Sequence, residues 1–99
     1  MTFNEITQQD KPVLVNFFAT WCAPCAMMAP ILEEVKKRVG GKSDIIKIDV
    51  DKNPNAAAAF KIRSVPSLMV FKKGEMMWKQ AGLMSADEII QKLNRYMDV

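Results

Sequence analysis

The only two cysteines of the chain lie three residues apart, in Trp21-Cys22-Ala23-Pro24-Cys25. The apolar run Val13-Leu14-Val15-Asn16-Phe17-Phe18-Ala19 leads into them like a buried strand, and Met28, Ile31, Leu32, Val35 and Val39 follow at helical spacing. The pair therefore falls at the start of a helix. Unpaired N–H groups and the positive end of the helix dipole stabilise a thiolate there, and two sulfurs one turn apart can open and close a disulfide with little backbone movement. Reversible thiol–disulfide exchange needs that combination.

Two other uses of the pair compete with this one. A purely structural bridge across so short a loop constrains the unfolded chain little, so it is a poor staple. A zinc site wants four ligands, and a chain with no histidine would have to complete it with carboxylates or a second chain. An intracellular Cys-x-x-Cys in a strand–helix–strand setting favours redox chemistry over both.

The elements that must hold the pair follow from punctuation and periodicity. Phe3 and Ile6 can share one face of an initial helical turn before Lys11-Pro12 breaks the chain. Val13 to Phe18 is a continuous apolar strand of the kind covered on both faces. The helix from about Cys22 to Val39 contains Pro30, which predicts a kink, and Gly40-Gly41 ends it. Ile45 to Val50 is a second strand. Asn53 is placed to cap a short helix with Pro54 in its first turn and Ala56 to Phe60 filling it. Ser67 to Phe71 is a third strand, Lys72-Lys73-Gly74-Glu75 a turn, and Met76 to Ala81 a fourth strand pairing back antiparallel until Gly82. Ser85 and Glu88 make a capping box for a last helix with Ile89, Leu93, Tyr96 and Met97 on its apolar face. The order β-α-β-α-β-β-α, with right-handed crossovers, specifies an α/β fold with a four-stranded mixed sheet and helices on both faces. The 99 residues, without repeat or linker, are expected to form a single domain, residues 1–99.

With 49% apolar and 25% charged residues the balance is that of an ordinary globular protein. The net charge of +3 comes from scattered lysines. The densest run, Lys36-Lys37-Arg38, closes a helix where cations suit the dipole, so nothing points to a nucleic-acid partner. Neither a membrane-spanning apolar run nor a signal peptide is present, and the chain reads as cytoplasmic; an exported mature domain whose signal had been removed would read the same. The eight methionines are expected to serve as adaptable packing rather than metal ligands, with Met84 as a candidate substrate contact.

Taken in order, these residues resemble thioredoxin. The resemblance is carried by Val15-Asn16-Phe17-Phe18-Ala19-Thr20, Trp21-Cys22-Ala23-Pro24-Cys25, Pro30, Lys47, Asp51-Lys52-Asn53-Pro54, Arg63-Ser64-Val65-Pro66-Ser67 and Gly82, and it runs from about residue 3 onward. An edge strand with which the family usually begins is not expected here. The resemblance implies that Cys22 is the exposed nucleophile and Cys25 the buried resolving thiol, with Val65-Pro66 facing them and Pro66 cis. Trp21, Ala23, Pro24, Val65, Pro66 and Gly82 would border a shallow groove for a substrate protein. It further implies reduction of protein disulfides, recharging by an NADPH-dependent thioredoxin reductase, a monomeric state, and no cofactor or metal held by the chain itself.

Two departures from the family pattern stand out. Ala23-Pro24 replaces the usual Gly-Pro, and Asn16 stands where the family buries an aspartate, often partnered by a lysine matched here by Lys47. Asparagine cannot take up a proton in that role. On the residues alone, Asn16 and Lys47 read equally well as a satisfied buried amide and a strand lysine reaching solvent. The alternatives to a general protein-disulfide reductase are a reductant dedicated to one partner, or a binding or chaperone module on the same fold. The intact Trp-Cys-x-Pro-Cys and Val-Pro pieces argue against the latter.

Overall fold

In the computed structural model, which describes residues 3–97, the site is held by a strand buried on both faces. That strand, β1 (Val13–Phe18), is apolar at every position but Asn16 because it is internal to the sheet, whose order is β2-β1-β3-β4. β2 (Asp44–Asp49) pairs with it in parallel, and β3 (Ser67–Lys72) pairs antiparallel on its other side. β4 (Glu75–Ala81) pairs antiparallel with β3 and forms one edge. The parallel β1–β2 pair requires a crossover, supplied by the helix α2 (Ala23–Val39).

Side chains alternate between the two faces of β1 and β3. Leu14, Leu68 and Val70 pack with Met28, Leu32 and Val35 of α2 and with Ile89 and Leu93 of the last helix, α4 (Ala86–Asn94). Val13, Val15, Phe17, Met69 and Phe71 point the other way, onto Phe3, Ile6, Phe60 and Ile62. These come from the short helix α1 (Phe3–Thr7) and from the segment around α3 (Pro54–Ala59). Phe60 stacks edge-on to Phe71 at 5.4 Å between ring centroids, and Phe3 lies 5.3 Å from both. Each such buried side chain contributes roughly 1.5–3 kcal/mol. Helices on both faces of a four-stranded mixed sheet match the sequence reading, with α1 as an added opening element.

Three local expectations need correction. The β3–β4 connection is a two-residue turn, since Lys72 and Glu75 are already paired; Lys73 (φ 54°) and Gly74 (φ 81°) alone form the loop. Left-handed backbone at both positions suits the twist of a tight hairpin. The backbone N–H groups of Lys73 and Gly74 are tied to the Gln9 and Thr7 carbonyls at 2.9 and 3.0 Å, which anchors α1. Asn53 precedes α3 as foreseen, but its side chain makes no cap bond; its Nδ2 turns back and donates to the Asp49 carbonyl at 3.0 Å. The methionine expectation holds for Met28 and Met69 in the core, whereas Met27, Met76 and Met77 are exposed. Met76 and Met77 lie on the edge strand, where no helix covers them, and Met27 points outward from the first turns of α2.

The Ser85 capping box is present in full at the start of α4. Arg38 joins α2 to α4 by an exposed ion pair with Asp87 at 2.7 Å, besides its pair with Glu34 at 3.1 Å. Among the described residues no helix is long and apolar enough to cross a membrane.

Candidate active site

β1 delivers the chain to the sheet's end, and a tight turn follows in which the Cys22 N–H donates to the Ala19 carbonyl at 3.3 Å. Cys22 is the N-cap of α2, extended at φ −93° and ψ 113°, and its sulfur accepts the Cys25 N–H at 3.2 Å. Ala23 and Pro24 fill the first two helical positions, where the N–H that proline lacks would have had no helical partner. Cys22 and Cys25 are joined as a disulfide with their Cα atoms 5.2 Å apart.

Cys22 departs from the expected exposed nucleophile, because both cysteines are only 6% exposed. Its sulfur is turned inward by its bond to Cys25 and by the N–H it accepts, and the pair packs with Ala19 against Phe18, Val50 and Val65. Facing it is the Val65–Pro66 peptide, which is cis. The Val65 carbonyl oxygen lies 3.5 Å from the Cys22 sulfur. Pro66 is buried, and its carbonyl accepts the Gly82 N–H at 2.8 Å, which fixes the loop after β4 beside this strip. Gly82 has φ 98°, a conformation side chains disfavour, so glycine is required there by the backbone.

Trp21 is 72% exposed yet held in place, its indole N–H donating to Asp51 Oδ2 at 2.8 Å. Asp51 is itself positioned by a turn in which Asp49 Oδ1 accepts the N–H groups of Asp51 and Lys52 at 2.8 and 3.2 Å. Trp21, Ala23 and Pro24 stand exposed on one side and Val65 half-buried on the other. Between Trp21 and Val65 a depression of about 360 Å³ is also lined by Val50, Ile62, Arg63 and Ser64.

Behind the disulfide a second cavity of about 210 Å³ is shared by Cys25, Asn16 and Lys47. Asn16 and Lys47 are direct register partners across β1 and β2, which brings them to this cavity together. Asn16 is 3% exposed, and its Oδ1 has no hydrogen-bond partner among the described residues. The satisfied buried amide foreseen as one alternative is therefore incomplete within the protein. Lys47 is exposed, as a strand lysine reaching solvent would be.

Met84, the foreseen substrate contact, is 3% exposed and belongs to the core between sheet and helices. Its neighbour Leu83, 44% exposed, takes the surface position instead. The capping box at Ser85 fixes the start of α4, and the alternation just before it puts Met84 inward; that signal was available in the sequence.

The family model for thioredoxin matches residues 1–95. The chain belongs to the thioredoxin family. It is 46% identical over 89 residues to a thioredoxin of Staphylococcus haemolyticus, covering 90% of this chain and 86% of that one. To a thioredoxin of Rickettsia conorii it is 40% identical over 91 residues, covering 92% and 87%. A solved mutant thioredoxin from Halobacterium salinarum superposes with a TM-score of 0.88 at 32% identity, over 97% of this chain and 83% of that one. With the family goes the activity: dithiol–disulfide exchange that reduces protein disulfides, for which the Cys22–Cys25 pair has the required spacing.

Proposed function

We propose that Cys22 is the attacking thiolate and Cys25 the resolving one, in a single domain of residues 1–99 working as a cytoplasmic monomer. The observation that carries the assignment is the N-cap position of Cys22, whose sulfur already accepts the Cys25 N–H at 3.2 Å. In the reduced protein that N–H and the α2 dipole favour a thiolate on Cys22, while Cys25 lies one turn inside. The Cys22 thiolate attacks one sulfur of a substrate disulfide; a protein–substrate disulfide forms and the other substrate sulfur leaves as a thiolate. Cys25 then loses its proton and attacks the Cys22 sulfur. The active-site disulfide closes and the second substrate thiolate departs. Both substrate thiolates take up protons, so the two hydrogens of the dithiol end on the substrate.

Trp21, Ala23, Pro24, Val65, Pro66 and Gly82 form the substrate groove, with the Val65 backbone offering a strand-like edge to an extended peptide. Asn16 and Lys47 act as positioning residues. Asn16 and Lys47 line the cavity behind the disulfide together with Cys25, on the path by which the Cys25 proton would leave toward solvent. A thioredoxin reductase drawing on NADPH regenerates the dithiol.

Insulin reduction with dithiothreitol tests the reading. The wild-type protein accelerates the onset of turbidity, and Cys22→Ser abolishes the acceleration. Equal acceleration by Cys22→Ser would leave a binding module whose cysteines are incidental.

A further inference from the structure

The depression beside the disulfide has one charged wall. Trp21, Val50, Ile62 and Val65 make it largely apolar, and Arg63 supplies its cation. Arg63 is exposed and makes no ion pair among the described residues. Of the acids at this end of the sheet, Asp51 accepts the Trp21 indole N–H through Oδ2, and Asp49 accepts two backbone N–H groups through Oδ1. The guanidinium offers a planar fork of donors that no carboxylate among the described residues takes up, in a chain of net charge +3.

Its position relative to the reacting sulfur sets the reach. Arg63 lies two residues before Val65, whose carbonyl is 3.5 Å from the Cys22 sulfur. Two Cα–Cα steps keep Arg63 within about 7 Å of Val65 along the backbone. A peptide laid along Val65 with its cysteine at Cys22 therefore brings a side chain one or two residues away level with Arg63. Exposed Trp21, held rigid by Asp51, and half-buried Val65 leave apolar contact for the rest of the segment.

Resting on the reductase reading above, we propose that Arg63 is a specificity-determining residue that selects polypeptide disulfides carrying an aspartate or glutamate within two residues of the attacked cysteine. The test uses disulfide-linked peptides identical except for Glu, Gln or Lys at each of the two positions on either side of the cysteine. Values of kcat/KM are measured for wild type, Arg63→Gln and Arg63→Glu, and the Glu-to-Lys ratio is taken within each variant so that general losses cancel. Wild type should favour Glu over Lys by about two- to five-fold at one position, the scale of an exposed ion pair. The ratio should fall to about one in Arg63→Gln, invert in Arg63→Glu, and shrink in high salt. A wild-type ratio near one at every position, or a ratio unchanged in Arg63→Gln, overturns the proposal while leaving the reductase reading intact. Failure of the wild type to reduce any of the peptides would overturn that reading, and this inference with it.

Discussion

Asn16→Asp places an ionisable group where the fold now has an amide, and the outcome can be worked out from its surroundings. The site is 3% exposed, so a carboxylate there loses most of its hydration, and burial raises the carboxyl well above its ordinary range. A group whose folded-state proton affinity exceeds its unfolded one costs nothing below the unfolded value, near pH 4 for aspartate. The cost then grows as pH climbs and levels off above the folded value. Each tenfold gain in proton affinity corresponds to about 1.4 kcal/mol. Fully buried groups gain up to about three to five decades. The cavity of about 210 Å³ and the cation of Lys47 moderate this, and two decades, or about 3 kcal/mol, is the expected loss at pH 8.5. Urea denaturation of the oxidised wild type and variant at pH 4.5 and 8.5 measures it, with the disulfide closed so that neither cysteine titrates. The titration-linked part of the stability gap should be about 1 kcal/mol at pH 4.5 and about 2 kcal/mol wider at pH 8.5, and wider still in a Lys47→Gln background. Equal gaps at both pH values, or a larger one at pH 4.5, would refute the reasoning and leave position 16 as a packing site.

Asp51→Ala removes the acceptor of the Trp21 indole N–H at 2.8 Å. The freed ring should show altered tryptophan fluorescence and raise KM for protein disulfides a few-fold, with the rate of the chemical step in single turnovers little changed. Ser85→Ala deletes the acceptor of the Glu88 N–H at the α4 N-cap. It should cost about 1 kcal/mol, a melting temperature lower by about 4–8 °C. Glu88 is held below its ordinary value first by the Ser85 backbone N–H and then by the Ser85 side chain. Its contribution is therefore present at neutral pH and is lost as pH falls through that lowered value. Glu88→Ala should accordingly lower the melting temperature at pH 7 and by less at pH 3.

What could be read from the sequence was whatever local chemistry dictates. The run Val13–Phe18 fits only an internal strand, Cys22 and Cys25 fall at a helix start, and Ser85 with Glu88 caps α4 in the predicted register. Tertiary contacts decided the rest. Asn53 is an apt cap residue, but the Asp49 carbonyl offered its amide a better partner. The resemblance implied an exposed Cys22, yet the closed disulfide and the Val65–Pro66 strip cover it. Period-2 alternation cannot say which strand ends up at an edge, so the exposure of Met76 and Met77 followed only from the order β2-β1-β3-β4. Arg63 and Asp51 were visible as parts of matched motifs. That Arg63 has no ion pair among the described residues while Asp51 is engaged by Trp21 depends on contacts between segments far apart in the chain.

The central claim is the division of labour between the two cysteines, and trapping of the protein–substrate disulfide tests it most directly. Cys22→Ser and Cys25→Ser variants are reduced, mixed with a disulfide-bearing substrate such as oxidised insulin, and run on non-reducing gels, with the linked residue identified by mass spectrometry. Cys25→Ser should accumulate a disulfide through Cys22, because the first exchange proceeds and its resolution is lost. Cys22→Ser should accumulate little or none. Trapping through Cys25 in Cys22→Ser, as fast and as complete as the reverse, would contradict the assignment.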